Sequence, residues 1–250
     1  MKSIPATVCI DAAVGTFLDR ANVVLMGADA VSIGKAYLYG LSAGGQKGVE
    51  SVLQILRNEL ERDMALIGCR KISELAKEWR SSLSLEVTGI TGSNGKTTTK
   101  DLMIHIFSAW HLVHGTRGNY NTHLGLPLTL LELDSQHSRS FLEMGANQRG
   151  DIGYLCSLSL PRHGLITNIA PSHLSSFGSM ETIRQTKGEL FKSLPEDGTA
   201  FVNADDENVR DLPTDAKRVS YGFCHECDFA GDISHDDDGY ITLIINGKEI

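Results

Sequence analysis

No stretch of this chain approaches the ~20 consecutive apolar residues that a membrane-spanning helix needs, so no membrane partner is expected. Positive charge is also scarce. Lys and Arg total 23 against 31 Asp and Glu, a formal net charge of −8. That balance argues against non-specific binding to nucleic acid, while leaving room for a local basic pocket for phosphates. Low-complexity tracts are missing, and an ordinary apolar fraction does not suggest disorder. Met1-Lys-Ser-Ile-Pro-Ala-Thr-Val-Cys-Ile10 imitates a signal peptide, but Asp11 cuts the apolar run and no convincing cleavage site follows. The five cysteines are scattered apart from Cys224 and Cys227. An odd count without a secretory signal fits reduced thiols and a cytoplasmic location. Cys224-His-Glu-Cys227 could be half of a zinc site, yet no second pair exists, so a plain hairpin or loop is expected there.

What the sequence does have is pattern. Its 250 residues can hold one large domain or two small ones. Thr7–Ile10 and Ala30–Ile33 read as short buried strands, with a helix over Ala21–Met26 between them. Val49, Val52, Leu53, Leu56, Leu60, Met64 and Ile67 recur at helical spacing up to Gly68, a natural left-handed cap. A further helical piece, Ile72–Trp79, leads into Arg80-Ser-Ser, where the texture changes; the boundary is placed there, giving segments 1–79 and 80–250. Beyond it strands and helices alternate: strands at Leu83–Thr88, Leu112–His114, Ser140–Met144, Gly164–Asn168 and Thr199–Asn203, helices at Thr97–Trp110, Leu126–Leu133 and Ile183–Leu194. Such alternation predicts an α/β fold with a parallel sheet covered on both faces. Leu102, Ile106 and Trp110 fall on one face of the first of these helices. The tail from Asp228 to Ile250 alternates polar and apolar residues, with Asn246-Gly247 as a hairpin turn signal.

The chemistry concentrates in Thr91-Gly92-Ser93-Asn94-Gly95-Lys96-Thr97-Thr98, between a strand and a helix. Glycines let backbone amides converge on phosphate oxygens, and the helix N-terminus adds partial positive charge. In such a loop Lys96 reaches the terminal phosphates and the Thr97 hydroxyl ligates Mg²⁺. The usual leading glycine would fall at Ile90, whereas Gly89 lies one place earlier. Glu143 closes an apolar strand, a position that by itself fits a solvated loop residue as well as a carboxylate facing the loop and holding Mg²⁺.

Several segments occur in order: Thr91–Thr98, Gly118-Asn-Tyr-Asn-Thr-His-Leu-Gly-Leu-Pro127, Glu143-Met-Gly-Ala-Asn147, Gly150-Asp-Ile-Gly-Tyr-Leu155, Ile166-Thr-Asn-Ile-Ala-Pro-Ser-His173, Phe177-Gly-Ser179, Lys187-Gly-Glu-Leu-Phe191 and Asn203-Ala-Asp-Asp206. Together they resemble the central ATP-binding domain of the Mur ligases, over about residues 82 to 250, and within them the branch whose substrates are UDP-N-acetylmuramoyl-tripeptide and D-alanyl-D-alanine. The resemblance implies ATP and Mg²⁺ as cofactors. It implies an acyl phosphate formed on the tripeptide carboxylate, then attack by the dipeptide amine. It also implies that His173 helps hold a second Mg²⁺, that Lys187 is a lysine some members carbamylate, and that Asn203 contacts adenine. Ser175 stands where the family commonly has glutamate and Ala170 where it often has glycine.

Residues 5 to 75 resemble something different, the C-terminal end of an FMN-dependent α-hydroxy-acid dehydrogenase. The carriers are Leu25-Met-Gly-Ala-Asp-Ala-Val-Ser-Ile-Gly34, Tyr37-Leu-Tyr-Gly-Leu-Ser-Ala-Gly-Gly45, Gly48-Val49 and Met64-Ala-Leu-Ile-Gly-Cys-Arg70. In that family the piece closes a (β/α)₈ barrel, so a partial barrel segment is expected here. Asp11-Ala-Ala-Val-Gly15 has lost a close-approach glycine and the arginine of the family's phosphate loop, and Gly34-Lys35 replaces Gly-Arg. No bound FMN is expected. The apolar faces of the segment must still be covered, by docking on the rest of the chain or by self-association. The family's UDP-binding and C-terminal domains are not found in these residues, so the sequence leaves three readings: an amide ligase of peptidoglycan synthesis that is incomplete in this chain, a catalytically inactive ATP-binding fragment or fusion, or an oxidoreductase fragment.

Overall fold

The computed structural model describes residues 8–10, 31–33, 35–66, 71–171, 177–223, 226–235, 241–245 and 248–249. The helix expected at Ala21–Met26, the loop Asp11–Gly15, Gly34, the Gly68 cap, His173, Ser175, Cys224 and the Asn246-Gly247 turn lie outside these residues. The chain divides into two compact units, Met1–Trp79 and Arg80–Ile250. In the first, β1 (Val8–Ile10) and β2 (Val31–Ile33) pair in parallel. Helix α1 (Lys35–Leu66) follows, interrupted by non-helical backbone at Gly44 and Gly45. It starts well before Val49, where the apolar periodicity begins, because the Tyr37–Ala43 stretch is helical too.

The second unit is preceded by helix α2 (Ile72–Ser82) and runs β3 (Glu86–Thr91), α3 (Lys96–Phe107), β4 (Val113–Gly115), α4 (Gly125–Leu131), β5 (Arg139–Glu143), α5 (Asp151–Ser159), β6 (His163–Ile166), α6 (Met180–Lys192), β7 (Thr199–Asn203), α7 (Glu207–Arg210), β8 (Lys217–Gly222), β9 (Phe229–His235), β10 (Ile241–Ile245) and β11 (Lys248–Glu249). Among the described residues these strands form one sheet of order β11-β10-β9-β8-β7-β6-β3-β5-β4. Every pairing from β4 across to β9 is parallel, and β10 and β11 add antiparallel at the edge. The fold is therefore the expected α/β architecture. Strand β3 is buried on both faces from Val87 to Thr91, as a central parallel strand covered by helices must be. Val87, Ile90, Leu142, Ile166, Ile183, Leu190 and Phe191 are fully buried in the core. Helix α6 opens on a side-chain cap, Ser179 accepting from the Thr182 N–H.

Three expectations need correction. Strand β3 lies at Glu86–Thr91 rather than Leu83–Thr88, because the buried Arg80 guanidinium takes the carbonyls of Leu83 and Leu85, along with that of Ser159. Burial away from water lowers the pKa of Arg80. Helix α3 ends at Phe107, short of Trp110, and the stripe Leu102, Ile106 and Trp110 faces outward, with exposures of 56, 52 and 76%. It meets the sheet through Met103, Ile104 and Phe107, which pack on Ile90, Phe141 and Leu165. Spacing identifies a face, but not which face looks inward. Helix α5 carries no helical prediction from the sequence, yet it buries Ile152, Leu155, Cys156 and Leu158.

Two smaller findings complete the picture. Cys227 is disulfide-bonded, against the expectation of reduced thiols throughout. No described helix is long and apolar enough to cross a membrane.

Candidate active site

In an open α/β sheet, ligands bind outside the carboxyl ends of the strands where the chain reverses its direction of winding. Here that point is the end of β3, which has β5 on one side and β6 on the other. The glycine loop emerges there. Ile90, at the place of the usual leading glycine, is instead buried among Phe141 and Leu165. The strand runs on through Thr91, whose hydroxyl donates to the Met144 carbonyl at 2.8 Å. The turn begins only at Gly92, where φ is +149° and an added Cβ would lie 1.9 Å from Thr167 Oγ1. Gly95, at φ +79°, then opens helix α3 with no side-chain cap. The N–H groups at the start of α3 are thus left for an anion.

The loop is braced from the end of β6. The N–H of Ser93 donates to the Asn168 carbonyl at 2.9 Å, and that of Asn94 to Asn168 Oδ1 at 3.0 Å. Ser93 Oγ accepts from the Ala170 N–H at 2.9 Å, so alanine serves here where the family often has glycine. Thr167 Oγ1 donates to the Asn94 carbonyl at 2.6 Å.

Two ammonium groups converge on one oxygen. Lys96 Nζ donates to the Gly92 carbonyl at 3.0 Å, and Lys187 Nζ, from α6, donates to the same carbonyl at 2.9 Å. Among the described residues neither is in an ion pair. Burial, then the neighbouring Lys96 charge, pushes the Lys187 pKa down to about 8. Opposite them Glu143 is 3% exposed. Its Oε2 accepts from Thr97 Oγ1 at 2.8 Å and its Oε1 from Asn121 Nδ2 at 2.7 Å. Lys96, Lys187, Glu143 and Asn121, with Asn147, line a cleft of about 180 Å³. A buried carboxylate is expected to have a cationic partner. Among the described residues the Glu143 carboxylate has only a hydroxyl and an amide as partners, and its oxygens beside the Thr97 hydroxyl are donors of the kind a hard divalent cation such as Mg²⁺ takes. Thr98, the last residue of the loop, is exposed on the first turn of α3.

Asn203 ends β7 and reaches the same region. Its Nδ2 donates to the Thr167 carbonyl at 2.9 Å, and its Oδ1 accepts from the Asp205 N–H at 3.1 Å. It also lines a separate cavity of about 340 Å³ with Tyr221, Phe223 and Phe229. The structure thus brings Gly92, Ser93, Lys96, Glu143 and Lys187 to one cleft, with Asn94 and Gly95 beside it on the loop, Thr97 bonded to Glu143, and Asn203 a bond away through Thr167. Sequence reasoning assigned no role to Asn121, Thr167 or Asn168. All three sit inside the ordered segments Gly118–Pro127 and Ile166–His173, which was their signal.

A glycine loop braced at the switch point of a parallel sheet, with paired lysines facing a buried carboxylate, defines a phosphate-binding α/β domain. The chain belongs to the Mur ligase family: the family model of the Mur ligase middle domain matches residues 90–250. It is 37% identical over 169 residues to the UDP-N-acetylmuramoyl-tripeptide–D-alanyl-D-alanine ligase of Bacillus subtilis, covering 67% of this chain and 37% of that protein. It is 36% identical over 179 residues to the ligase of that name from Synechocystis, covering 70% and 38%. The structure is similar to that of MurF ligase from Thermotoga maritima in complex with ADP, with a TM-score of 0.65 and 31% identity over 72% of this chain and 42% of that one. The chain therefore spans well under half the length of these relatives. Residues 2–82 match a different family model, that of FMN-dependent dehydrogenase.

Proposed function

We propose that residues 80–250 bind Mg·ATP and serve an ATP-dependent amide ligase of peptidoglycan precursor synthesis. In this reading the enzyme joins D-alanyl-D-alanine to UDP-N-acetylmuramoyl-tripeptide through an acyl phosphate, in the cytoplasm. The observation that carries the reading is the pair of lysines on the Gly92 carbonyl, facing Glu143 across one cleft. The relatives' names supply the substrate class.

Lys96 releases the Gly92 carbonyl and meets the terminal phosphates, supported by the amides at the start of α3. Thr97 and Glu143 would hold Mg²⁺ through the hydroxyl and carboxylate that bond each other here. The ion, when bound, neutralises charge on the transferring phosphoryl group. The tripeptide carboxylate oxygen bonds to the γ-phosphorus as the bond to ADP breaks. The dipeptide amine then attacks the acyl carbon, loses its proton, and phosphate leaves. By the resemblance, His173 would help hold a second Mg²⁺ and Asn203 would contact adenine. Lys187, with its pKa near 8, offers an appreciable share of neutral amine for carbamylation at physiological pH. No flavin site is part of the proposal, because Asp11-Ala-Ala-Val-Gly15 lacks the glycine and arginine of the dehydrogenase loop. The match of residues 2–82 to that family favours one further reading, a catalytically inactive ATP-binding fusion that carries an FMN-dependent oxidoreductase remnant.

The test is to supply a purified protein carrying this domain with ATP, Mg²⁺ and both substrates, and to look by mass spectrometry for the UDP-muramyl pentapeptide. Product that disappears in Lys96→Ala supports the ligase. ATP binding without product in any such protein supports the inactive alternative.

A further inference from the structure

We infer that Lys100 is a positioning residue for Glu143, acting through Thr116, and so sets the metal end of the cleft; this rests on the Mg·ATP reading above. In helix α3 the buried residue is a lysine. Lys100 is 3% exposed, whereas Leu102 and Ile106 on the same helix face solvent. Its Nζ donates to the Thr116 carbonyl at 2.6 Å and pairs at 3.0 Å with Asp101, whose side chain is 63% exposed. An ion pair to so exposed a carboxylate offsets little of the cost of burying an ammonium. Methionine would fill the same space between helix and strand without that cost. It could not hold the Thr116 carbonyl.

Thr116 is where that grip matters. The ladder between β4 and β5 ends at Gly115 opposite Phe141. One residue on, Thr116 is 1% exposed, and its Oγ1 accepts the N–H of Glu143 at 2.9 Å. The hydroxyl thus takes over from the ladder at the residue whose carboxylate meets Thr97. Thr97 and Lys100 are three apart on one helix, so they share a face. That face delivers a hydroxyl to the Glu143 carboxylate and an ammonium to the strand end that fixes the Glu143 backbone. The Thr97–Glu143 spacing of 2.8 Å is therefore held from both sides.

The experiment measures Mn²⁺ binding by electron paramagnetic resonance in the presence of ATP, beside ATP binding in EDTA, for the wild type, Lys100→Met, Lys100→Arg and Thr116→Val. Residues that orient metal ligands typically contribute about 10- to 100-fold in metal affinity. Lys100→Met is expected to weaken Mn²⁺ binding by that factor and to leave metal-free ATP binding unchanged, with partial rescue by Lys100→Arg. Thr116→Val keeps the carbonyl but loses the hydroxyl, and should show a similar loss. The double variant should lose no more than the worse single one, since both act through one contact. Wild-type metal affinity in Lys100→Met, or equal losses with and without metal, would overturn the inference. If Lys100→Met does not fold, Thr116→Val decides alone, and unchanged Mn²⁺ affinity there overturns it. A wild type that binds ATP in neither condition would instead overturn the nucleotide reading on which the inference rests.

Discussion

At the amino ends of the three central strands, charges of opposite sign meet each other. Glu86 opens β3, Arg139 opens β5 and His163 opens β6. Arg139 bonds Glu86, and His163 lies 3.8 Å from the same carboxylate. Alongside, Arg162 pairs with Asp197 at 2.9 Å. At the carboxyl ends of the same strands the arrangement is reversed. Lys96 and Lys187 crowd one carbonyl, and the buried Glu143 has neutral partners. The core between the two ends is the same, so packing does not explain the difference. One end has its charges paired within the fold, and the other is left for phosphate and metal to pair. Electrostatics at the first end should therefore govern stability, and at the second should govern binding at some expense of stability.

The largest expected effect follows from removing a charge at the carboxyl ends. Lys96→Met should cost about 2–5 kcal/mol of Mg·ATP affinity, the range for truncating one partner of a desolvated charge pair. It should leave the unfolding midpoint unchanged or raised, because a like-charge neighbour of Lys187 is gone. Calorimetry and thermal melts on one preparation check both halves. Equal ATP affinity in the two proteins would mean that the nucleotide does not sit on this loop. Glu143→Gln should come next, with metal dependence weakened on the order of tenfold or more, since outer partners alone reach that size. Its melting temperature should rise, because a buried carboxylate without a cation is replaced by a neutral amide. A fall in both would make Glu143 a structural residue.

How much of this contrast was legible in the sequence depends on which kind of signal each part leaves. The alternation of strands and helices gave the parallel sheet, and Gly92 to Thr97 gave the phosphate end, because loop chemistry is local and contiguous. Glu143 and Lys187 came from ordered segments that resemble a family, since nothing local says that a strand-closing glutamate faces a loop 46 residues away. The paired charges at the amino ends left no signal at all. Glu86, Arg139 and His163 come together through strand register, and register depends on pairings the sequence does not display. Lys100 escaped for a related reason: a lysine on an amphipathic helix reads as solvated until its Thr116 partner is seen. The outward turn of Leu102, Ile106 and Trp110 and the three-residue shift of β3 both followed from tertiary contacts overriding local pattern.

A milder test of the contrast uses pH. The Lys187 pKa is lowered to about 8 in the folded chain from a reference of 10.5. Below about 8 both folded and unfolded chains are protonated, and the cost of burying the ammonium is present in full. Between about 8 and 10.5 the unfolded chain binds the extra proton, so this group makes stability rise with pH there. Lys187→Met should be more stable than wild type at pH 7 by on the order of 1 kcal/mol and should lack that rise. Denaturant melts across the window check the slope. Bicarbonate added near pH 8 should give a carbamylated Lys187 detectable by native mass spectrometry, and no adduct in Lys187→Met.

The smallest effect is expected at the opposite end, and its pH dependence is what sharpens the comparison. Glu86→Gln removes the carboxylate shared by Arg139 and His163, yet Glu86 is 42% exposed, so solvent screens much of the pairing. A partly exposed pair contributes about 0.2–1 kcal/mol, and the loss at pH 7.5 should fall within that range. His163 changes the picture in acid. Burial lowers its pKa from 6.5, and Glu86 pulls the pKa back up, against the lowering effect of Arg139 and Arg162. A histidine with a lowered folded pKa makes stability fall as pH drops below its unfolded value, because the unfolded chain takes up the proton first. Without Glu86 the folded pKa drops further. The acid-side decline should therefore be steeper and longer in Glu86→Gln than in wild type, so the difference between the two proteins should widen from pH 7.5 to pH 5. His163→Gln should abolish that widening, since the titrating group is gone. Mg·ATP affinity at pH 7.5 should be unchanged in both variants, because neither residue reaches the carboxyl ends of the strands. A Glu86 variant that lost nucleotide affinity while keeping its melting temperature would break the division between the two ends of the sheet.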